Sequence, residues 1–351
     1  MNWLIPALPP KFPAAIRDVH ARTHEARLAA AVRLGRAEGE EVEPAIDGLL
    51  ELLSDVHPGV RATALAGLGA IGRETDLPSI AALLTDVAAE VREIAAVALA
   101  QIGGDDAAQC LLEALTSTEP EVRFQAVAGV ADLAPERACD ALLPLLSDLD
   151  AEVRAQVASV LGQLDAPHLV GHLAHALDDD VYCVRLDAAI ALAHYGDARG
   201  VPTLRDALAL KLRVGEAARA LASLQIVDSA DAIAELAGAW RCPPDVRAEL
   251  GAALVELGDA RGEKALRKVL RGLRSDARSY AVELTGQVDA VGLAPDLAML
   301  AQRPRGADLL TLVDALSHFA NRAPEALRAL TQLGRRADAV GEAARKALSP
   351  I

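Results

Sequence analysis

The string Pro58-Gly59-Val60-Arg61 decides the fold, because its last two residues return at a fixed spacing. Ala89-Glu90-Val91-Arg92, Glu121-Val122-Arg123, Glu152-Val153-Arg154 and Cys183-Val184-Arg185 each place an arginine 31 residues after the last. The same phase recurs at Arg247, two periods beyond Arg185, and at Arg278, one period further. Self-similarity at such a period marks a solenoid. Apolar or small residues follow each arginine at the third, fourth, seventh and tenth places. Ala64, Leu65, Leu68 and Ile71 do so after Arg61, and Ala158, Leu161 and Leu164 after Arg154. That spacing is one face of an α-helix and not the alternation of a strand. A shorter apolar helix precedes each one, as in Leu49-Leu50-Glu51-Leu52-Leu53. Two helices of about a dozen residues cannot bury a core alone, so neighbouring units must stack. The expectation is an all-α, right-handed solenoid of about eleven helical hairpins.

Six residues before the arginine an aspartate recurs: Asp55, Asp86, Asp148 and Asp179, with Ser117 in that place before Arg123. The aspartate, the Val-Arg pair six residues on and the Ala/Leu spacing of the second helix resemble the HEAT repeats. The likeness is greatest to their short bacterial form in the phycobilin-lyase-like group. It covers almost the whole chain and speaks to fold, because the matched residues build the stack. Arg61, Arg92, Arg123, Arg154, Arg185, Arg247 and Arg278 are accordingly read as a structural ladder. In it the guanidiniums satisfy loop carbonyls and neighbouring aspartates, Asp179 being assigned to Arg185.

Three regions are expected. Residues 1–43 form a proline-rich arm and an atypical capping repeat with Glu25-Ala26-Arg27 in the Val-Arg place. Residues 44–290 form the repeat array. Its register slips near 196–230, where Val214 stands at the arginine position, 29 residues after Arg185 and 33 before Arg247. Residues 291–351 are degenerate capping repeats, with Leu309 and Val340 at that position.

The net charge of −15 disfavours phosphate backbones, and no basic channel emerges, so nucleic acid is not expected as a partner. Met1 to Pro13 has no basic leader and is broken by prolines, which argues against a signal peptide or a spanning segment. Cys110, Cys139, Cys183 and Cys242 lie in different units without CxxC spacing, as expected of reduced thiols in a cytoplasmic protein. Oligomeric state is not legible.

His168, His172 and His175, with Asp179 beyond, fall on one helical stripe and form the one candidate metal set. Aligned units hold Arg137, Ala141 and Pro144 at the histidine places, so a solvated outer face is the reading and no metal or cofactor is expected. Iron hydroxylases built of HEAT repeats bind metal through several His-Glu dipeptides; this chain has one, His24-Glu25. HExxH, GxSxG and a phosphate-cradling glycine loop are not present in the sequence.

In HEAT-like stacks the second helices line the concave side. The outward positions of the early units there are small and neutral. From the sixth unit they become Asp187, His194, Glu216, Glu249, Glu256, Tyr280, Glu283 and Asp314. This set is expected to meet a protein partner with a basic surface or peptide, in a non-enzymatic scaffold or adaptor. The resemblance implies an alternative, a phycobilin-lyase-like protein that handles a chromophore or cofactor.

Overall fold

The computed structural model describes residues 11–349, so the expectation placed on Met1 to Pro10 lies outside the described residues. Those described form twenty-two α-helices with short 3₁₀ turns between them and no strand. The helices pair in chain order as eleven hairpins, making an α-solenoid. The chain divides into two compact units, 1–188 and 189–351, at a point inside the helix Tyr182–His194.

In the first unit the second helix of each hairpin carries the core. Val60, Ala64, Leu65 and Leu68 of Pro58–Ile71 are fully buried, as are Val153, Val157, Ala158 and Leu161 of Ala151–Leu161. Successive second helices pack side by side, Pro58–Ile71 against Ala89–Ile102 and that against Pro120–Leu133. Small residues permit this. A Cβ on Gly35 would stand 2.7 Å from the Gly67 Cα, so the backbones of two neighbouring hairpins meet there. The first helices are shorter than the apolar runs implied. Leu77–Ala81 and Pro135–Leu142 each tighten into a 3₁₀ turn, over Ala82–Thr85 and Leu143–Ser147. In the latter, Pro144 has no N–H to continue the α-helical bonding.

The loop between the helices is organised by its aspartate in three ways at once. The Asp55, Asp86, Asp148 and Asp179 carboxylates each accept the main-chain N–H two residues on, at 2.8 Å, which fixes the turn into the next helix. Their carbonyls accept the arginine six residues on, Arg61 from Asp55 at 2.7 Å and Arg154 from Asp148 at 2.8 Å. Their carboxylates also receive the arginine of the previous repeat. Arg27 thus joins Asp55, Arg61 joins Asp86, Arg123 joins Asp148 and Arg154 joins Asp179. Each of the last three pairs spans 25 residues and is bidentate. Asp179 therefore gives its carboxylate to Arg154; Arg185 donates to the carbonyls of Asp179 and Asp180 and stands 5.3 Å from the Tyr182 ring centre. Ser117 keeps the turn, donated by the Glu119 N–H at 3.2 Å, but cannot receive an arginine bidentately. Arg92 turns to Glu119 and Glu121 instead.

The second unit keeps the hairpins and changes the loops. Val201–Leu210 passes to Val214–Ser223 through three residues, and Lys211 and Arg213 take left-handed φ of 59° and 43° to make so short a turn. That turn is the physical form of the register slip. Arg247 is buried and donates to the carbonyls of Ala237 and Ala239. Arg278, also buried, donates to the carbonyls of Leu270, Gly272 and Arg305. Neither meets a ladder aspartate: 25 residues beyond them stand Gly272 and Arg303.

Candidate functional site

Within the second unit the second helices Val214–Ser223, Pro244–Glu256, Ser275–Gln287 and Leu309–Phe319 pack in succession. This brings Glu216, Glu249, Tyr280, Glu283 and Asp314 onto neighbouring helices. Glu216, Glu283 and Asp314 are exposed, and Glu249, Glu256 and Tyr280 are half-buried. His194 is exposed at the end of its helix. Asp187 is the exception: it is 8% exposed and belongs to the first unit, so it does not present its carboxylate to solvent with the others.

The centre of the face is a pair one repeat apart. The Tyr280 hydroxyl donates to Glu249 Oε1 at 2.8 Å. Burial, together with that hydrogen bond and the adjacent charge, pushes the Tyr280 phenol up to about 12. Glu249 reaches this position because residue 215 has no side chain. A Cβ on Gly215 would lie 1.5 Å from Glu249 Oε2. Burial also pushes the Glu256 carboxyl up, opposed by the Arg219 charge. Arg213 pairs with Glu216 at 2.8 Å. The face thus carries more carboxylates than cations.

Beside it lies a cleft of about 500 Å³ that the sequence did not disclose. Val214, Gly215 and Glu216 of one helix, Val246 and Glu249 of the next, and Ala239, Arg241, Cys242 and Pro243 of the loop before it line the cleft. Its lining is mostly apolar, and the Cys242 thiol in it is pushed up by burial, away from the thiolate a nucleophile needs. Trp240 stands 82% exposed with the Arg241 guanidinium 4.5 Å over its ring. The signal available beforehand was the long interval to Arg247, which leaves Ala239-Trp240-Arg241-Cys242-Pro243 between two helices.

The histidine set does not form one helical stripe. His168 lies in the 3₁₀ turn Pro167–Leu169, while His172 and His175 lie in the short helix Val170–His175, so a change of helical pitch separates them. All three are exposed, and His175 Nδ1 is 2.8 Å from the Gly171 carbonyl of its own helix. No group of three metal-ligating side chains is assembled among the described residues. No helix among them is long and apolar enough to cross a membrane.

Stacked helical hairpins with a conserved loop geometry and an open second-helix face define an α-solenoid repeat protein. The chain belongs to the HEAT-repeat family, whose model matches in overlapping copies over residues 19–100, 46–131, 80–150, 111–193 and 139–222. Its fold is similar to that of Escherichia coli YibA, at 19% identity over 71% of this chain and 93% of that one, with a TM-score of 0.52. It is also similar to the complex of CpcE and CpcF of phycocyanin lyase from Nostoc sp., at 20% identity over 64% and 92% of the two chains, with a TM-score of 0.50. At these identities the likeness is one of fold. No curated protein matches the chain in sequence.

Proposed function

We propose that the protein is a non-enzymatic scaffold that holds a basic segment of a protein partner on the second-helix face of its second unit. The observation that supports this is the concentration of Glu216, Glu249, Glu256, Glu283 and Asp314 on adjoining helices, beside a mostly apolar cleft. Acidic groups would steer and select a basic chain, and the cleft would take one apolar side chain from it as anchor. Tyr280 contributes through the hydroxyl that holds Glu249 in place.

The test is fluorescence anisotropy of a short arginine- and lysine-rich peptide carrying one leucine. Glu249→Lys with Glu283→Lys should weaken its binding about tenfold or more, since like charges then face each other. Reversal of Glu51 and Glu113, on first helices of the other unit, should leave binding unchanged. Binding should also weaken as salt rises. Equal binding by the two double variants, or stronger loss in the second, overturns the reading.

A further inference from the structure

In the first unit the arginines of Arg61, Arg123 and Arg154 are answered by an aspartate 25 residues on. Arg278 makes the same six-residue backward contact, to the Gly272 carbonyl, so its register is the ladder's. Twenty-five residues beyond Arg278, where the acid belongs, stands Arg303. Arg278 is 2% exposed and its hydrogen-bond partners are all main-chain carbonyls. The charge that the rungs of Arg61, Arg123 and Arg154 neutralise with an aspartate is left in place here, and a second cation is added.

Next to it is a cleft of about 240 Å³ lined by Arg271, Arg303 and Arg305, with Gln302 and Met299. The carboxylate in its lining, Asp296, is buried and already shared, accepting from Arg267 at 2.9 Å and Arg271 at 2.8 Å. Arg303 and Arg305 are exposed, and their side chains make no hydrogen bond or ion pair among the described residues. Arg305 is held at a left-handed φ of 50° while Arg278 grips its carbonyl, so the loop that carries both free guanidiniums is fastened to the buried cation.

We propose that this cleft, built where the ladder carboxylate is replaced by Arg303, binds a phosphate group. Two unengaged guanidinium forks and a third shared one suit a dianion with several acceptor oxygens better than a single carboxylate, which one fork saturates. On a chain of net charge −15 this loop holds a local excess of positive charge. The phosphate comes either from a small ester or from a phosphorylated segment of a partner, and the two differ in what else the cleft must touch.

The experiment is calorimetric titration of the full chain with inorganic phosphate, with acetate, and with a glycine-flanked phosphoserine peptide and its unphosphorylated form. Phosphate should bind and acetate should not. Arg303→Gln with Arg305→Gly should weaken phosphate binding about tenfold or more. Glycine also relieves the left-handed backbone, so the variant keeps its helicity, which circular dichroism checks. Arg335→Gln, an exposed arginine elsewhere, should change nothing. Tighter binding of the phosphoserine peptide than of inorganic phosphate assigns the source to a phosphorylated partner, and equal binding assigns it to small esters. Acetate binding as well as phosphate, or unchanged phosphate affinity in the double variant, overturns the proposal.

Discussion

Arg123 shows what one rung does. It takes the Ser117 carbonyl at 2.8 Å and both oxygens of Asp148, so it fastens its own loop and the next repeat's loop together. Both side chains are largely shielded from water, which leaves each charge costly without the other. Arg123→Ala should lower stability by about 1–3 kcal/mol, read from urea unfolding, because Asp148 then loses its partner. The double variant with Asp148→Ala should cost less than the two single changes added together, the coupling being the signature of a direct pair. Additive losses would show that the rung is not a unit. The Val-Arg repeat revealed that an arginine matters here, yet not which acid it meets. An aspartate six residues upstream is nearer in sequence than one 25 residues downstream, and only the stacking of hairpins inverts that order.

At the scale of the element, the helices and their pairing were legible because 3.6-residue periodicity survives every substitution that keeps the apolar face. The outer face of the second helices was legible for the same reason, and Glu216, Glu249, Glu283 and Asp314 lie on adjoining helices within one unit. What periodicity could not reveal was depth. Asp187 and Glu216 each stand two residues after the arginine position, and one is buried while the other is exposed. The cleft was invisible for a different reason: it is made by an irregular loop, and the loop has no period. Gly215 gives the element-scale prediction. Gly215→Ala adds a Cβ whose nearest neighbour is the end of a flexible side chain, so the Val214–Ser223 helix should fold at little cost. Glu249 must then swing away and release Tyr280. The Tyr280 phenol should then titrate below about 12, with burial still holding it above its ordinary value, followed by ultraviolet absorbance with Tyr280→Phe as the blank. An unshifted titration would show that Glu249 does not govern it.

Across the whole molecule the loops whose arginine meets an aspartate answer to acid differently from those whose arginine meets carbonyls alone. The Arg27 and Arg154 guanidiniums hold Asp55 and Asp179 below the ordinary carboxylate range. At Asp86 and Asp148 burial is the largest single influence and pushes upward. The paired arginine, the turn N–H and the adjacent arginine together outweigh it, and these carboxyls are lowered too. A carboxyl lowered on folding adds stability above its unfolded pKa and loses it as pH falls through the folded value. The rungs of the first unit should therefore loosen below about pH 4. Arg247 and Arg278 bind carbonyls, which do not titrate in this range. Hydrogen exchange compared at about pH 6 and pH 3, after correction for intrinsic rates, should show protection lost first in the loops around residues 55, 86, 148 and 179. Equal loss around residues 239 and 272 would contradict this.

The reach of 25 residues from arginine to acid also makes the array editable. Excision of residues 124–154 removes one 31-residue period and leaves Arg123 25 residues before Asp179, the reach it now has to Asp148. Every remaining donor keeps an acceptor, so the shortened chain should retain its helical content per residue and a cooperative thermal transition. A deletion shorter by two residues breaks the register and should lose both. A lineage that duplicates or drops whole periods would thus never pass through a mispaired intermediate, and proteins of this kind can change length freely while their loops stay locked.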